Sequence, residues 1–317
     1  AVWHNLLQLE ATLERLAPLP PSPSPPTDID LDGHAELVLR GKTLRAIVRI
    51  DGDAALAELS SLTLAHNFGD TLRRHAELYH QKIGVGETAP NATNATGNGG
   101  IASAHDRVAF LHAITPADAV PDARPRGIAL DTLITADGHR QPLNGYRPLA
   151  HDEAAADSRG FVAEGDGWRV EKRYTLRDDT LEIAWRLVGA AAPGCRLETE
   201  INLAMPSCDG FGGRYVLDDG RIPGGFGQPL ELPALTQLDL RDSELRNGEL
   251  MDGGIRLTAV PPTRPAGSTL GAPTFRGQPH HTVSQSEAGF EKIMQAVCLT
   301  LRWPAGDGWQ RLTLKPL

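Results

Sequence analysis

The stretch "TDIDLDGHAE" sets Asp28, Asp30 and Asp32 at alternate positions, follows them with Gly33, and adds Glu36 three residues later. Carboxylates two apart on a tight loop converge on one point if the residues between them face outward and a glycine permits the turn. Hard cations such as calcium take six to eight oxygen ligands of that kind. Asp28, Asp30, Asp32 and Glu36 fall at loop positions one, three, five and nine with glycine at six, the spacing of short calcium loops written D-x-D-x-D-G-x-x-[DE]. An EF-hand is excluded, since its twelfth position would be Leu39 where a bidentate glutamate is needed. The expectation is a Ca2+ site built from these four carboxylates. The plainer reading is a solvated turn anchored to the body of the protein by Ile29 and Leu31.

A second group of residues suits carbohydrate. In "RLETEINLAM", Glu198, Glu200 and Asn202 project side by side from one face of an extended strand, and paired carboxylates and amides are common holders of sugar hydroxyls. An ordinary solvent face of a half-exposed sheet is the competing reading, and for Glu198 the preferred one. The segment "LRRHAELYH" supplies Arg73, Arg74, His75, Tyr79 and His80, and "VSQSEAGFEK" supplies Gln285, Ser286, Glu287 and Glu291. A mutarotase-type reaction needs a carboxylate base and an acid such as histidine on opposite sides of a sugar ring, and these pieces contain both types. Structural pairing, for example Arg73 or Arg74 with Glu287, is the plainer alternative. Trp168 and Trp309 each follow a glycine-containing turn and present rings able to stack on a sugar, whereas Trp185 has the parity of a core residue. The carbohydrate-contact set is therefore Arg73, Arg74, His80, Trp168, Glu200, Asn202 and Glu287.

Elements that would hold these groups follow from periodicity. Val2, Leu6, Leu9, Leu13 and Leu16 recur at spacings of four and three, an amphipathic helix over residues 1–17. A lone helix of that length is marginal in water, so the stripe must find a partner. The start at Ala1, in place of a methionine, fits a partner that lay upstream. Residues 18–27 carry too many prolines for helix or sheet and read as a semi-rigid linker. From residue 28 to 317 the pattern turns to alternation. In "TLEIAWRLV" the residues Leu181, Ile183, Trp185 and Leu187 share one face, and similar runs recur between Gly, Asp and Pro turns. That is the signature of a large antiparallel β-sandwich. One interruption, "DTLRRHAELYHQKI", places Leu72, Ala76, Tyr79 and Ile83 on a helical stripe.

Composition limits the partners. A chain of 317 residues can bury roughly three quarters of its unfolded surface, so a core needs no staples. With 31 basic residues against 40 acidic ones, a net charge of −9 and no basic run, nucleic acid and anionic membrane surfaces are set aside. Cys195, Cys208 and Cys298 lack metal-ligand spacing and read as reduced thiols. No apolar run reaches membrane-span length, and Glu10, Glu14 and Arg15 interrupt what a signal peptide would need, which points to a cytoplasmic protein.

Several segments in order resemble the C-terminal region of glycoside hydrolase family 57, the α-amylase and 4-α-glucanotransferase group: "AVWHNLLQLE", "DIDLDGHAELVLR", "ALAELSSLTLAHNFGDTLRRHAELYHQKI", "VEKRYTLRDDTLEIAWRLV", "TEINLAMPS" and "VSQSEAGFEKIMQ". The resemblance spans nearly the whole chain. It implies a β-supersandwich related to galactose mutarotase, standing beside a catalytic barrel whose acids lie upstream, so no catalytic residue carries over. The segments "GETAPNATNATGNGG" and "PADAVPDARPR" depart from the family pattern and leave loop geometry open. The expected function is a non-catalytic domain of an α-glucan-acting hydrolase or glucanotransferase, partnered by the upstream barrel of the same polypeptide and by an α-glucan or other carbohydrate. The alternatives are a self-sufficient aldose-epimerase-like enzyme working on a concave sandwich face, and a purely structural sandwich.

Overall fold

In the computed structural model, the structure describes residues 2–18, 25–83, 93–94, 108–109, 113–149, 158–189, 194–208, 210–246, 252–261, 271–286, 289–306 and 308–317. One helix, α1 (Val2–Leu16), precedes strands β1 (Glu36–Arg40), β2 (Leu44–Arg49), β3 (Leu56–Ser61), β4 (His66–Asn67), β5 (Thr93–Asn94), β6 (Val108–Ala109), β7 (Ile128–Ile134), β8 (Arg140–Pro142), β9 (Arg147–Pro148) and β10 (Ser158–Gly165). There follow β11 (Trp168–Arg177), β12 (Thr180–Val188), β13 (Arg196–Leu203), β14 (Gly213–Leu217), β15 (Gly224–Gly225), β16 (Leu230–Leu232), β17 (Gln237–Arg246), β18 (Asp252–Val260), β19 (Thr274–Ser286), β20 (Gly289–Arg302) and β21 (Gln310–Pro316).

Two antiparallel sheets carry the fold. The ten-stranded sheet runs β1-β2-β3-β7-β13-β20-β19-β16, with β4 and β8 attached, and the nine-stranded sheet runs β15-β14-β17-β18-β21-β12-β11-β10-β9. Period-two alternation places one face of each strand between the sheets. On β12 the predicted set Leu181, Ile183, Trp185 and Leu187 is buried, and on β13 Leu197, Ile201 and Leu203 are buried with them in one continuous core. Trp185 packs beside Trp303 with ring centroids 5.9 Å apart.

A charged pair crosses this core. The Lys172 ammonium on β11 lies 2.9 Å from the Asp131 carboxylate on β7, both side chains fully buried. Asp131 also accepts hydrogen bonds from the Tyr146 hydroxyl, the Trp185 indole and the Thr199 hydroxyl, at 3.0, 3.1 and 2.8 Å. Lys172 donates to the Ala129 carbonyl and sits near the Tyr146 and Tyr174 rings. Buried ions persist only when paired and hydrogen-bonded in this way, and the pair joins β7 of one sheet to β11 of the other.

Of the two helical expectations, one is met and one is revised. α1 forms, but its apolar stripe faces away from the sandwich: Val2, Leu6, Leu9, Leu13 and Leu16 are all exposed. The helix docks by its other side, burying Leu7, half-burying Trp3 and Ala11, and pairing Glu14 with Arg45 of β2. The helix predicted over residues 70–83 does not form; the chain there is extended and ends in a single 3-10 turn at Leu78–Lys82. Tertiary partners outbid local propensity. The Arg74 amide donates to Asp122 and the Asp122 amide donates to the Arg74 carbonyl, which removes two groups a helix would have used internally.

Candidate functional site

The predicted cation loop closes at its base, where Thr27 and Glu36 exchange backbone hydrogen bonds of 3.0 and 2.9 Å. Ligand oxygens of Asp28, Asp30 and Glu36 lie within 4.8 Å of one another. Asp32 stands apart, its carboxylate accepting the His34 amide at 2.8 Å. The Glu36 carboxylate accepts the Ile29 amide at 2.8 Å, and Asp28 Oδ2 accepts the Gly33 amide at 3.1 Å, leaving Asp28 Oδ1 buried without a protein donor. Gly33 has φ +91°, a conformation glycine adopts without strain. Three of the four predicted ligands thus converge. The anchoring reading fails in one respect: Ile29 and Leu31 are exposed instead of tucked into the sandwich.

The predicted carbohydrate residues meet in part on the outer face of the ten-stranded sheet. Glu198, Glu200 and Asn202 do share the β13 face opposite the core, but that face is largely covered. Glu198 is buried under Arg140 and Arg302, the latter donating at 3.1 and 2.9 Å. Burial raises its pKa, and the hydrogen bonds from both arginines outweigh this and hold it below the usual glutamate range. Asn202 is fully buried; its amide donates to the Gly127 carbonyl at 3.0 Å and to Glu200 at 2.8 Å, and its oxygen accepts from Arg126 at 2.7 Å.

Above this face two loops are tied by one carboxylate. Asp122 accepts from the Arg74 amide at 2.8 Å, from the Arg74 guanidinium at 3.1 and 2.8 Å, and from Arg126 at 2.9 and 2.8 Å. Arg73 donates to the Asp122 carbonyl at 3.2 and 3.0 Å. Burial works to raise the Asp122 pKa, and the arginine hydrogen bonds override it and hold the carboxyl far below its ordinary value. The expected pairing of Arg73 or Arg74 with Glu287 is therefore replaced by Asp122, while Glu287 lies outside the described residues.

His280 on β19 lies beneath the same loops, its Nε2 3.2 Å from the Leu72 carbonyl. Burial, with help from the Arg126 charge, lowers its pKa to about 4. Burial and the neighbouring Glu200 push the Cys298 thiol up to about 12. Asp122, Arg126, His280 and Cys298 were all missed from sequence. The signal for two of them was present, since Asp122 and Arg126 stand four apart in "PADAVPDARPR", a segment that reads as a variable loop.

Beside this network a cavity of about 290 Å³ is lined by Arg73, Arg74, Tyr79, His80, Thr282 and Gln295, among others. The Tyr79 hydroxyl donates to the Val283 carbonyl at 3.1 Å, and His80 Nε2 lies 3.4 Å from the same oxygen. Arg73, Arg74 and His80 are thus brought together. Trp168 is not among them; it sits on β11 of the other sheet, half-buried against the core, where a side chain at Gly165 would come within 2.4 Å of its ring. Trp309 likewise packs under arginines, with Arg173 and Arg186 at 4.7 and 5.0 Å from its ring centre.

Among the described residues, no helix is long and apolar enough to cross a membrane. The chain is 25% identical over 314 residues to a 4-alpha-glucanotransferase of Thermococcus litoralis, covering 96% of this chain and 41% of that one. It is 27% identical over 324 residues to the 4-alpha-glucanotransferase of Thermococcus kodakarensis, with 99% and 43% covered. The crystal structure of the Thermococcus litoralis enzyme superposes on 99% of this chain and 41% of its own at a TM-score of 0.63 and 21% identity, a likeness of fold. A looser likeness, TM-score 0.42 at 9% identity over 89% of the chain, extends to a galactose mutarotase-like protein from Lactobacillus casei. The chain spans about two fifths of the length of these curated relatives. Residues 28–251 and 272–314 match the family described as "Alpha-amylase/4-alpha-glucanotransferase, C-terminal", and the chain belongs to that family.

Proposed function

We propose that this chain is the C-terminal, non-catalytic β-sandwich of a longer α-glucan-acting enzyme of the family 57 type, and that it seats and stabilises a catalytic part preceding it. The observation that carries this reading is α1. Five apolar side chains at spacings of four and three lie exposed on a helix that touches the sandwich by its other face. Such a contiguous apolar stripe is a docking surface in want of a partner. The relatives named as glucanotransferases extend well beyond the part this chain matches. The epimerase alternative draws little support from the sheet's outer face: His280 is held neutral against a backbone carbonyl, and Asp122 is saturated by two arginines.

Two finer points belong to the proposal. The Asp28, Asp30 and Glu36 oxygens, with the partnerless Asp28 Oδ1, support a Ca2+ site at the head of β1, with Asp32 shaping the loop. The cavity beside Arg73, Arg74 and His80 is the place on the outer face where sugar would be contacted.

The test compares the 317-residue chain with the same chain joined to its upstream region. The expected result is maltooligosaccharide disproportionation or hydrolysis by the longer protein only. The double change Leu6→Asp and Leu9→Asp lowers the melting temperature and activity of the longer protein while leaving the melting temperature of the chain alone unchanged. Glucan turnover by the 317-residue chain itself would overturn the reading.

A further inference from the structure

At the far end of the nine-stranded sheet, the turn before β14 holds Phe211 out into solvent with its whole side chain exposed. The turn is not loose. The fully buried Asp242 carboxylate accepts the Ser207 amide at 2.9 Å and the Ser207 hydroxyl at 2.6 Å, and the Ser243 amide donates to the Gly212 carbonyl at 3.2 Å. A side chain at Gly212 would meet the Ser243 and Ser207 hydroxyls at 2.2 and 2.7 Å, and one at Gly213 would meet the Phe226 ring at 2.2 Å. Gly213 therefore has no room for a side chain, and the turn that carries the phenylalanine is packed from below. The turn thus presents one large aromatic ring to solvent.

Beside Phe211 is a hollow of about 600 Å³, within the usual range for small-ligand clefts, roughly 300–1,000 Å³. Gly213, Gly224, Gly225 and Gly227 line it, so a ligand can approach the backbone closely. Exposed Ile222 and Gln228 stand at its rim. Among the described lining residues the one guanidinium, Arg214, is paired with Asp252 at 2.5 Å. Among the described residues that line it, the large exposed apolar ones are Phe211 and Ile222, far short of the roughly 800 Å² per side of a stable protein interface. A flat ring and a primary amide beside a glycine-lined hollow fit a ligand with an apolar C–H face and many hydroxyls.

Resting on the reading of the chain as part of an α-glucan-acting enzyme, we infer that the Phe211 turn and its glycine-lined hollow bind an α-glucan chain, separately from the cavity beside His80. A glucosyl unit stacks on the Phe211 ring, and Gln228 takes neighbouring hydroxyls. The test is mobility of the 317-residue chain in native gels containing glycogen, with maltoheptaose titrated calorimetrically. Phe211→Ala weakens binding at least tenfold and Gln228→Ala several-fold, with near-ultraviolet circular dichroism and melting temperature unchanged, while Val260→Ala, an exposed apolar position outside both cavities, binds as the parent does. Equal binding by Phe211→Ala overturns the inference, as does absence of binding by the parent chain. Loss that follows His80→Ala instead moves sugar to the other cavity and leaves the proposed function standing. Self-association abolished by Phe211→Ala with glucan binding intact would make the turn a contact between copies of the chain and end the inference.

Discussion

Asp122 is the place where one charge holds two loops over the ten-stranded sheet, and Asp122→Asn tests it. The substitution keeps shape but removes the carboxylate that accepts from the Arg74 amide and from both guanidiniums. An asparagine can keep one acceptor oxygen, and its amide would then face an arginine. About two hydrogen bonds to a charged group are lost, each contributing about 1.5–3 kcal/mol, and Arg126, only 11% exposed at its side chain, is left without its counter-charge. Arg74 is more exposed, which favours the lower end, about 3 kcal/mol in all. The sign with pH follows from the depressed carboxyl. Its contribution is fully present above the ordinary aspartate range near pH 4 and disappears as pH falls toward the lower folded value. Urea unfolding followed by tryptophan fluorescence should therefore separate parent and variant by about 3 kcal/mol at pH 7 and progressively less below pH 4. Amide exchange around residues 72–74 and 122–127 should quicken in the variant. A difference under about 0.5 kcal/mol, or one that does not shrink in acid, would refute the keystone argument.

Asp131→Asn strands the Lys172 ammonium in the core and should cost about 3–5 kcal/mol, whereas Asp131→Asn with Lys172→Met should recover a large part of it; additive losses in a double-mutant cycle would contradict the pairing. Glu58 is raised to about 7 by burial and by the neighbouring Glu10 and Asp70 charges, so ionising it as pH climbs from about 4.5 through 7 weakens the fold; Glu58→Gln should flatten that decline and be about 1–2 kcal/mol more stable at pH 8, allowing for solvent screening. Calcium added to the chelator-treated chain should raise its melting temperature and release titration heat, both lost in Asp30→Ala; identical behaviour of parent and variant would remove the ion from the proposal. The Cys298 thiol, half-buried and at about 12, should resist a thiol reagent at pH 8 until the chain unfolds, and stoichiometric labelling of the folded protein would contradict the raised thiol.

Period-two patterning is a local property, and it alone determined the sandwich: the parity of Leu181, Ile183, Trp185 and Leu187 decides which face of β12 is dry whatever lies across from it. The same holds for α1, whose 3.6-residue stripe marks both the helix and its apolar face. The convergence of Asp28, Asp30 and Glu36 was legible because these carboxylates lie within nine residues of one another. Long-range pairing was not legible. Residues 70–83 carry a helical stripe, yet contacts nearly 50 residues away at Asp122 and more than 200 away at His280 hold them extended, and no local pattern reports such partners. For the same reason alternation predicted that Glu198 and Asn202 would leave the core side of β13, but only the folded chain decided that arginines from other strands and loops would cover them. Side-chain direction is set by neighbours along the chain, whereas burial and charge state are set by whatever the fold brings near.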